Sequence, residues 1–195
     1  NLQVQGQQSR NTDNKTQVSN SVTVGASDAN FTKNAAFSGS SITTTQQGVK
    51  IGSYTMSAGQ NEGVTVTQID LTLAPGTAGV NLGNISNLVL KDEMGTILGQ
   101  RGTIGSGTAS ATLPFSLYQS INSNTSKTFE FFADFVNATG TITSTAKGYF
   151  QGSISNTIAS STAAAATTTV GVSGISNTAT LIGSQSQSSQ YVVGG

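Results

Sequence analysis

The sequence predicts an all-β protein, a single antiparallel β-sandwich, from three observations. Apolar and polar residues alternate in short runs that recur at intervals of about ten residues, with glycine-rich turns between them. Helical spacing of apolar residues nowhere persists beyond about one turn. Only 8% of the residues are charged and 35% are hydrophobic, so small uncharged polar residues, which suit strands with one wet face, fill the chain. This combination is typical of jelly-roll or immunoglobulin-like sandwiches.

An extended strand is expected ahead of the sandwich, so we divide the chain into an N-terminal extension, residues 1–25, and a sandwich domain, residues 26–195. The extension begins with a polar stretch and continues into the apolar alternation of TQVSNSVTV. Because side chains alternate between the two faces of a strand, residues of one parity share a face. The apolar residues of the extension that share a parity are Leu2, Val4, Val18, Val22 and Val24.

Two long strands are expected in residues 49–56 and 64–73, joined by the turn SAGQNEG. In each strand the apolar side chains change parity once, at Gly52-Ser53 in the first and near Thr67-Gln68 in the second. One extra residue in a strand shifts all later side chains to the opposite face. Each change of parity therefore predicts a β-bulge.

Further strands are expected in the middle of the chain. A hairpin around the turn KDEMGT occupies residues 87–98. Residues 109–117 alternate cleanly but contain Pro114, which cannot donate a ladder hydrogen bond and so favours an edge strand. Residues 129–135 form the most aromatic strand, in which Phe132 points away from the other phenylalanines. That orientation predicts a strand covered on both sides.

The C-terminal part has weaker patterns. Ile142, Tyr149 and Phe150 lie in a polar-rich stretch. Beyond it we expect a loop that leads into a strand of threonine and valine in ATTTVGV, and a last short strand at 191–193. We find no convincing internal repeat.

The residue inventory argues against an enzyme. The chain has no cysteine, histidine or tryptophan, and most general acid–base and nucleophilic chemistry depends on such side chains or on clustered carboxylates and lysines. A serine nucleophile would need a lysine as its base, and we expect no such pair. The eight basic and eight acidic residues cancel, so no nucleic-acid surface is indicated. We expect no cofactor.

Acidic residues are the candidate metal ligands, because calcium prefers several oxygen donors. The sequence has no DxDxDG motif, and the alternative interpretation is a solvated turn flanked by carboxylates at strand ends. The four candidate ligands are Asp70, Asp92, Glu93 and Asp134.

Asparagines in Asn-X-Ser/Thr triplets are candidate glycosylation sites. In a chain this rich in asparagine, serine and threonine, several such triplets arise by chance. The five sites are Asn14, Asn30, Asn84, Asn124 and Asn137.

A lysine–asparagine isopeptide bond, formed beside a buried carboxylate, is an alternative source of rigidity in a domain without cysteine. The alternative is that each lysine occupies an ordinary surface position. Residues that could supply the crosslink are Lys50 or Lys127, Asn156 or Asn177, and Asp70 or Asp134.

Three stretches, VKIGSYTMSAGQNEGVTVTQIDLTL, NLVLKDEMGTILG and SKTFEFFADF, resemble β-sandwich modules of prokaryotic cell-surface proteins. The resemblance covers residues 49–136 and includes no catalytic residue. Similar sandwiches build surface layers and adhesins, and also extracellular filaments of the TasA-like and archaeal thread or bundling-pilus types.

In those filaments the resemblance implies donor-strand complementation, in which one subunit lends a terminal strand to the groove of the next. The extension would be the donor here, and identical subunits would be the partners. The alternative is that Val18 to Val24 forms the first strand of its own sandwich.

The resemblance implies an extracellular structural subunit at the cell surface. No apolar run approaches the roughly 18 residues that span a membrane, and the start at Asn1 without a signal-peptide pattern predicts a processed product. A surface-layer, adhesin or carbohydrate-binding module of a larger protein is the rival interpretation. The absence of tryptophan and the presence of only four tyrosines weigh against sugar stacking.

Overall fold

Two β-sheets pack face to face in the computed structural model, which describes residues 29–76, 80–163 and 166–170. Their inward-facing side chains form one hydrophobic core. The elements, in chain order, are β1 (Asn30–Lys33), β2 (Gly39–Ile42), β3 (Gln46–Ser57), β4 (Val64–Pro75), a 3₁₀ turn (Leu82–Asn84), β5 (Ile85–Asp92), β6 (Ile97–Thr103), β7 (Ala111–Ile121), β8 (Ser126–Phe135), β9 (Gly140–Gly152), β10 (Ile158–Thr162) and β11 (Ala166–Val170).

The sheets differ in strand order, and neither follows the order of the chain. Sheet A runs β1-β3-β8-β5-β6, and sheet B runs β2-β11-β9-β4-β7, with β10 pairing to the far part of β9. Among the described strands every pairing is antiparallel except that of β2 with β11, which is parallel. The predicted all-β sandwich is confirmed.

Both predicted bulges are present, the first of them just before the predicted Gly52-Ser53. The pairing of β3 with β8 shifts register between Lys50 and Gly52, and β4 shifts between Val66 and Gln68 against both of its neighbours. The changes of parity in the sequence mark these shifts because the buried side chains must return to the inner face after each extra residue.

The centre of the core is a set of edge-to-face aromatic contacts. The ring of Phe131 on β8 lies 6.0 Å from that of Tyr54 and 5.5 Å from that of Phe115, at interplanar angles of 71° and 65°. Phe31 and Phe129 form a similar pair at 6.3 Å. These contacts join both sheets, since Phe115 belongs to sheet B and the other rings belong to sheet A.

The prediction that β8 is covered on both sides is wrong. Phe132 lies on the outer face of sheet A, where the ammonium groups of Lys50 and Lys91 stand 5.6 Å and 4.8 Å from its ring centre. Two cations therefore lie over the ring in place of a second layer, because the face of an aromatic ring attracts positive charge.

Residues 158–162, which we expected to be a loop, form β10 by pairing with β9. The alternating exposure of β10 gives no apolar signal, so only its partner strand makes it regular. Residues 1–28 and 171–195 lie outside the described residues. The proposed division at residue 25, the N-terminal strand and the expected strand at 191–193 fall there and stay predictions.

Candidate functional site

The outer strands of the two sheets are where another chain could pair. Sheet A ends at β1 and β6, and sheet B ends at β2 and β7. A free strand edge presents backbone donors and acceptors that can template a further strand. At seven and eleven residues, β6 and β7 are longer than the four-residue strands β1 and β2.

The edge of β7 is protected by Pro114 and Arg101. Pro114 lies at the predicted edge position and has no backbone N–H to offer. Its carbonyl oxygen accepts hydrogen bonds from Arg101 Nε at 3.1 Å and from Arg101 Nη2. The Arg101 guanidinium also lies 5.5 Å from the ring centre of Phe115. This stretch of β7 is therefore a poor acceptor for an added strand.

The Asp134 carboxylate, a candidate metal ligand, instead accepts hydrogen bonds from the two irregular strands β3 and β5. Its Oδ1 accepts a hydrogen bond of 2.7 Å from the Gly48 N–H, and its Oδ2 accepts one of 3.0 Å from Asn87 Nδ2. The φ angles of Gly48 and Asn87 are +62° and +49°, and each residue lies within a register shift of β3 or β5. One carboxylate thus stabilises the bulges on both sides of β8.

We expect Asp134→Asn to lower the free energy of unfolding by about 1 kcal/mol. Either the Gly48 N–H or the Asn87 side-chain amide would then face the N–H of the new amide instead of a carboxylate oxygen. Chemical denaturation measures the change. Asp70→Asn is the matched control, since the Asp70 carboxylate accepts its hydrogen bond from Gln68 Nε2 at 2.6 Å and an amide oxygen can replace it. Equal losses in both variants would contradict the role of Asp134.

The other candidate metal ligands are also engaged, and they lie apart. Asp92 Oδ1 accepts from the backbone N–H groups of Met94 and Thr96 and closes the β5–β6 turn. Glu93 Oε2 accepts from the Thr128 N–H at 3.1 Å. Within the described part of the chain, no three acidic side chains are placed to hold one metal ion. The four candidates do not form a site together.

Glu62 is a carboxylate that the sequence analysis missed. It is only 4% exposed and receives hydrogen bonds from the Ile154 N–H (2.8 Å), the Ser155 N–H (2.9 Å) and the Ser155 hydroxyl (2.6 Å). The Ser155 hydroxyl, followed by the two backbone N–H groups, holds the pKa of Glu62 below its usual range. A Cβ at Gly152 would lie 2.3 Å from Ser155 Oγ and 2.5 Å from Glu62 Oε1, so a larger residue there would displace this hydrogen-bonded pair.

Glu62 joins the β3–β4 loop to the β9–β10 turn at one end of the sandwich. A shallow cleft beside it is lined by loop residues such as Asn61, Asn122, Ser123 and Ile154. Both oxygens of the carboxylate accept hydrogen bonds from the β9–β10 turn, so Glu62 stabilises the fold at this position. A turn glutamate between glycines gives no periodic signal that could have revealed this role.

A buried polar bridge connects the two sheets. The Tyr54 hydroxyl of sheet A donates to the Ser144 carbonyl of sheet B at 2.9 Å and lies 2.9 Å from the Ser144 hydroxyl. The Ser144 hydroxyl in turn donates to the Ile51 carbonyl at 2.6 Å. Burial raises the pKa of Tyr54 to about 12, which the hydrogen bond to Ser144 partly offsets.

Ser144 and Lys147 have the Ser-x-x-Lys spacing of a nucleophile pair, which our expectation of no serine–lysine pair overlooked. In a strand, residues three apart face opposite sides of the sheet. Ser144 accordingly faces the core, whereas the Lys147 ammonium lies 4.9 Å from the ring centre of Tyr149 on the other face. Lysine cannot act as a base for this serine from that position.

The candidate glycosylation sites differ in accessibility. Asn30, Asn124 and Asn137 are exposed, whereas Asn84 is partly buried and donates from Nδ2 to the Asn137 carbonyl at 2.9 Å. Asn14 lies outside the described residues. The structure leaves glycosylation as a prediction, with Asn124 in an open turn.

The two lysines considered for an isopeptide bond have other partners. Lys50 Nζ forms an ion pair with Glu130 Oε1 at 2.5 Å, and Lys127 Nζ donates to Gln119 Oε1 at 2.8 Å. Asn156 is exposed in the β9–β10 turn, and Asn177 is outside the described residues. Within the described residues, neither lysine has a hydrogen bond to Asn156.

The donor-strand residues of the extension, Leu2 to Val24, lie outside the described residues, so the structure does not test them. The described residues contain no helix that is long and apolar enough to cross a membrane.

Comparison with known proteins gives distant likenesses only. No family model matches the chain, and no curated protein matches it in sequence. Among solved structures, it is similar to AvmM, which catalyses macrocyclization in alchivemycin A biosynthesis, with a TM-score of 0.41, 10% identity and coverage of 75% of this chain and 90% of that one.

Two further structures are similar at the same level. The CooA pilin subunit of enterotoxigenic Escherichia coli has a TM-score of 0.36 at 11% identity, covering 73% of this chain and 97% of its own. A family 123 glycoside hydrolase from Clostridium perfringens has a TM-score of 0.36 at 13% identity, covering 74% of this chain and 27% of its own. Likenesses this weak, two of them to enzymes and one to a pilin, carry no argument about function.

Proposed function

We propose that this chain is a structural subunit of an extracellular filament at a cell surface, in which each copy donates an N-terminal strand to the next. The observation that carries the proposal is the apolar pattern ahead of the sandwich. Leu2, Val4, Val18, Val22 and Val24 share one parity, as the side chains of a strand that fills a groove must.

The described sandwich supports a structural role through what its polar groups do. Glu62, Asp92 and Asp134 accept hydrogen bonds that close turns or fasten bulges, and Ser144 joins the sheets. These carboxylates stabilise the fold. The closest arrangement to a nucleophile pair, Ser144 and Lys147, lies on opposite faces of β9. Such a domain is suited to serve as a structural subunit of a larger assembly.

The protected edge of β7 is consistent with controlled assembly. A sandwich subunit that polymerises by one defined strand contact has to block its other long edges, because unprotected edges pair indiscriminately. Arg101 and Pro114 provide that protection where β6 and β7 meet. Near-zero net charge also leaves little long-range repulsion between copies.

Deletion of residues 1–24 is expected to abolish filament formation and to leave the sandwich folded. Electron microscopy of the full-length and truncated proteins measures assembly, and far-ultraviolet circular dichroism checks the fold. Filaments of normal appearance from the truncated chain would overturn strand donation.

A matched pair of full-length variants separates the two faces of the donor strand. Serine at Val18, Val22 and Val24 removes the apolar face and should prevent filaments, whereas alanine at Ser19, Ser21 and Thr23 should leave them intact. Full-length protein that stays dispersed would instead favour the rival function, a surface-layer, adhesin or carbohydrate-binding module. A glycan array would then test for carbohydrate binding.

A further inference from the structure

Strand β11 occupies a slot in sheet B that offers hydrogen bonds on both edges. It pairs antiparallel with the first part of β9, Thr168 opposite Ile142, and parallel with β2, Thr168 opposite Ser40. An extended segment in this slot therefore gains two ladders of backbone hydrogen bonds, which would make it a strong acceptor for a donated strand.

The strand that fills the slot is a poor match to it at one position. Thr168 is 1% exposed, and its hydroxyl has no hydrogen-bond partner. A buried hydroxyl without a partner loses its hydrogen bonds to water and gains none in return, whereas a methyl group of the same shape has none to lose. Valine would suit this position better than threonine.

The N-terminal extension contains a near copy of β11 with that replacement. Residues 21–25 read SVTVG, and residues 167–171 read TTTVG. The last three residues are identical, and Val22 takes the place of Thr168. The valine that the slot favours is thus present in the segment that the proposed function makes the donor.

We propose that residues 21–24 of one copy occupy the β11 slot of the next copy, in the register of β11 and parallel to β2. This inference rests on the proposed function and identifies the groove that the donor strand enters. The slot's own β11 has the advantage of being in the same chain, which raises its effective concentration. The incoming strand compensates for this disadvantage, because Val22 would stand in place of Thr168 and its buried, unpartnered hydroxyl.

Disulfide crosslinking between two single-cysteine variants tests the register. Thr167 of β11 pairs with Thr143, so Ser21 in the same register would lie opposite Thr143 of another copy. The natural chain has no cysteine, so a mixture of Ser21→Cys and Thr143→Cys can join unlike copies only between these positions. We expect a covalent dimer in assembled material, with the linked peptide identified by mass spectrometry.

The matched control replaces Thr143→Cys with Thr112→Cys, which lies on β7 at the far edge of sheet B. That mixture should give no Ser21–Thr112 link. Filaments that require residues 1–24 but give no link between Ser21 and Thr143 would overturn this inference and leave the proposed function standing. Full-length protein that never assembles would overturn both.

A second variant tests competition for the slot without cysteines. Thr168→Val improves the fit of the resident strand, so we expect severalfold slower assembly together with a higher melting temperature of the dispersed subunit. Thr145→Val, on the outer face of β9, is the control and should leave the assembly rate unchanged. Faster or unchanged assembly of Thr168→Val would contradict exchange at this slot.

Discussion

Replacing Phe131 with alanine is expected to lower the free energy of unfolding by about 3–5 kcal/mol, the cost of removing a large aromatic side chain from a packed core. Phe131 is fully buried and makes edge-to-face contacts with Tyr54 of sheet A and Phe115 of sheet B. Its removal therefore leaves a cavity between the two sheets. Urea denaturation followed by circular dichroism measures the loss.

The neighbouring Phe132 provides a matched control, because it has the same side chain on the opposite face of the same strand. Its partly buried ring lies on the outer face beneath two lysines and opposite Val89, so Phe132→Ala should cost about 1 kcal/mol, the scale of contacts outside a packed core. Similar losses for the two variants would contradict the assignment of inner and outer faces to β8.

Tyr54→Phe should be less stable than the natural protein at neutral pH and more stable near pH 12. At neutral pH the variant loses the hydrogen bond from the Tyr54 hydroxyl to Ser144, at a cost of about 1 kcal/mol. At alkaline pH the natural protein is penalised, because burial raises the pKa of Tyr54 to about 12, whereas an unfolded tyrosine ionises near pH 10.

The direction of the pH effect follows from proton linkage. The unfolded chain releases the phenol proton first, so the contribution of neutral Tyr54 to stability is complete below pH 10 and falls as the pH rises toward 12. The loss reaches roughly 2 kcal/mol at pH 12, which exceeds the value of one hydrogen bond. Denaturation of both proteins between pH 8 and 12 measures the difference, and a difference that does not change with pH would exclude a buried neutral phenol.

Carboxylates illustrate how sequence reading can misjudge a site. Asp70, Asp92, Glu93 and Asp134 were selected as oxygen donors for a cation, yet the structure gives three of them backbone N–H partners. Glu62, the most enclosed carboxylate among the described residues, was not selected at all. Acidic residues can be counted in a sequence, but the backbone groups that they serve come from distant loops, and only folding brings these together.

Sequence alone was sufficient for features that depend on neighbouring residues. The bulges of β3 and β4 were predictable because one extra residue leaves a change of parity, and the edge position of Pro114 was predictable because proline has no N–H. The short match between residues 21–25 and 167–171 was not recognised as a repeat in the sequence, and it acquired meaning only when β11 was placed in a slot with a buried, unpartnered Thr168.

The sequence by itself determined the fold class and most of the strands, because alternation, turn residues and composition are local properties of the chain. Only the tertiary structure decided the strand order, the parallel pairing of β2 with β11, the formation of β10, and the partners of Glu62, Asp134 and Tyr54. These features join residues up to about 130 positions apart, as between Phe31 and Ser161. No local pattern encodes such contacts, because they arise from the packing of complete sheets.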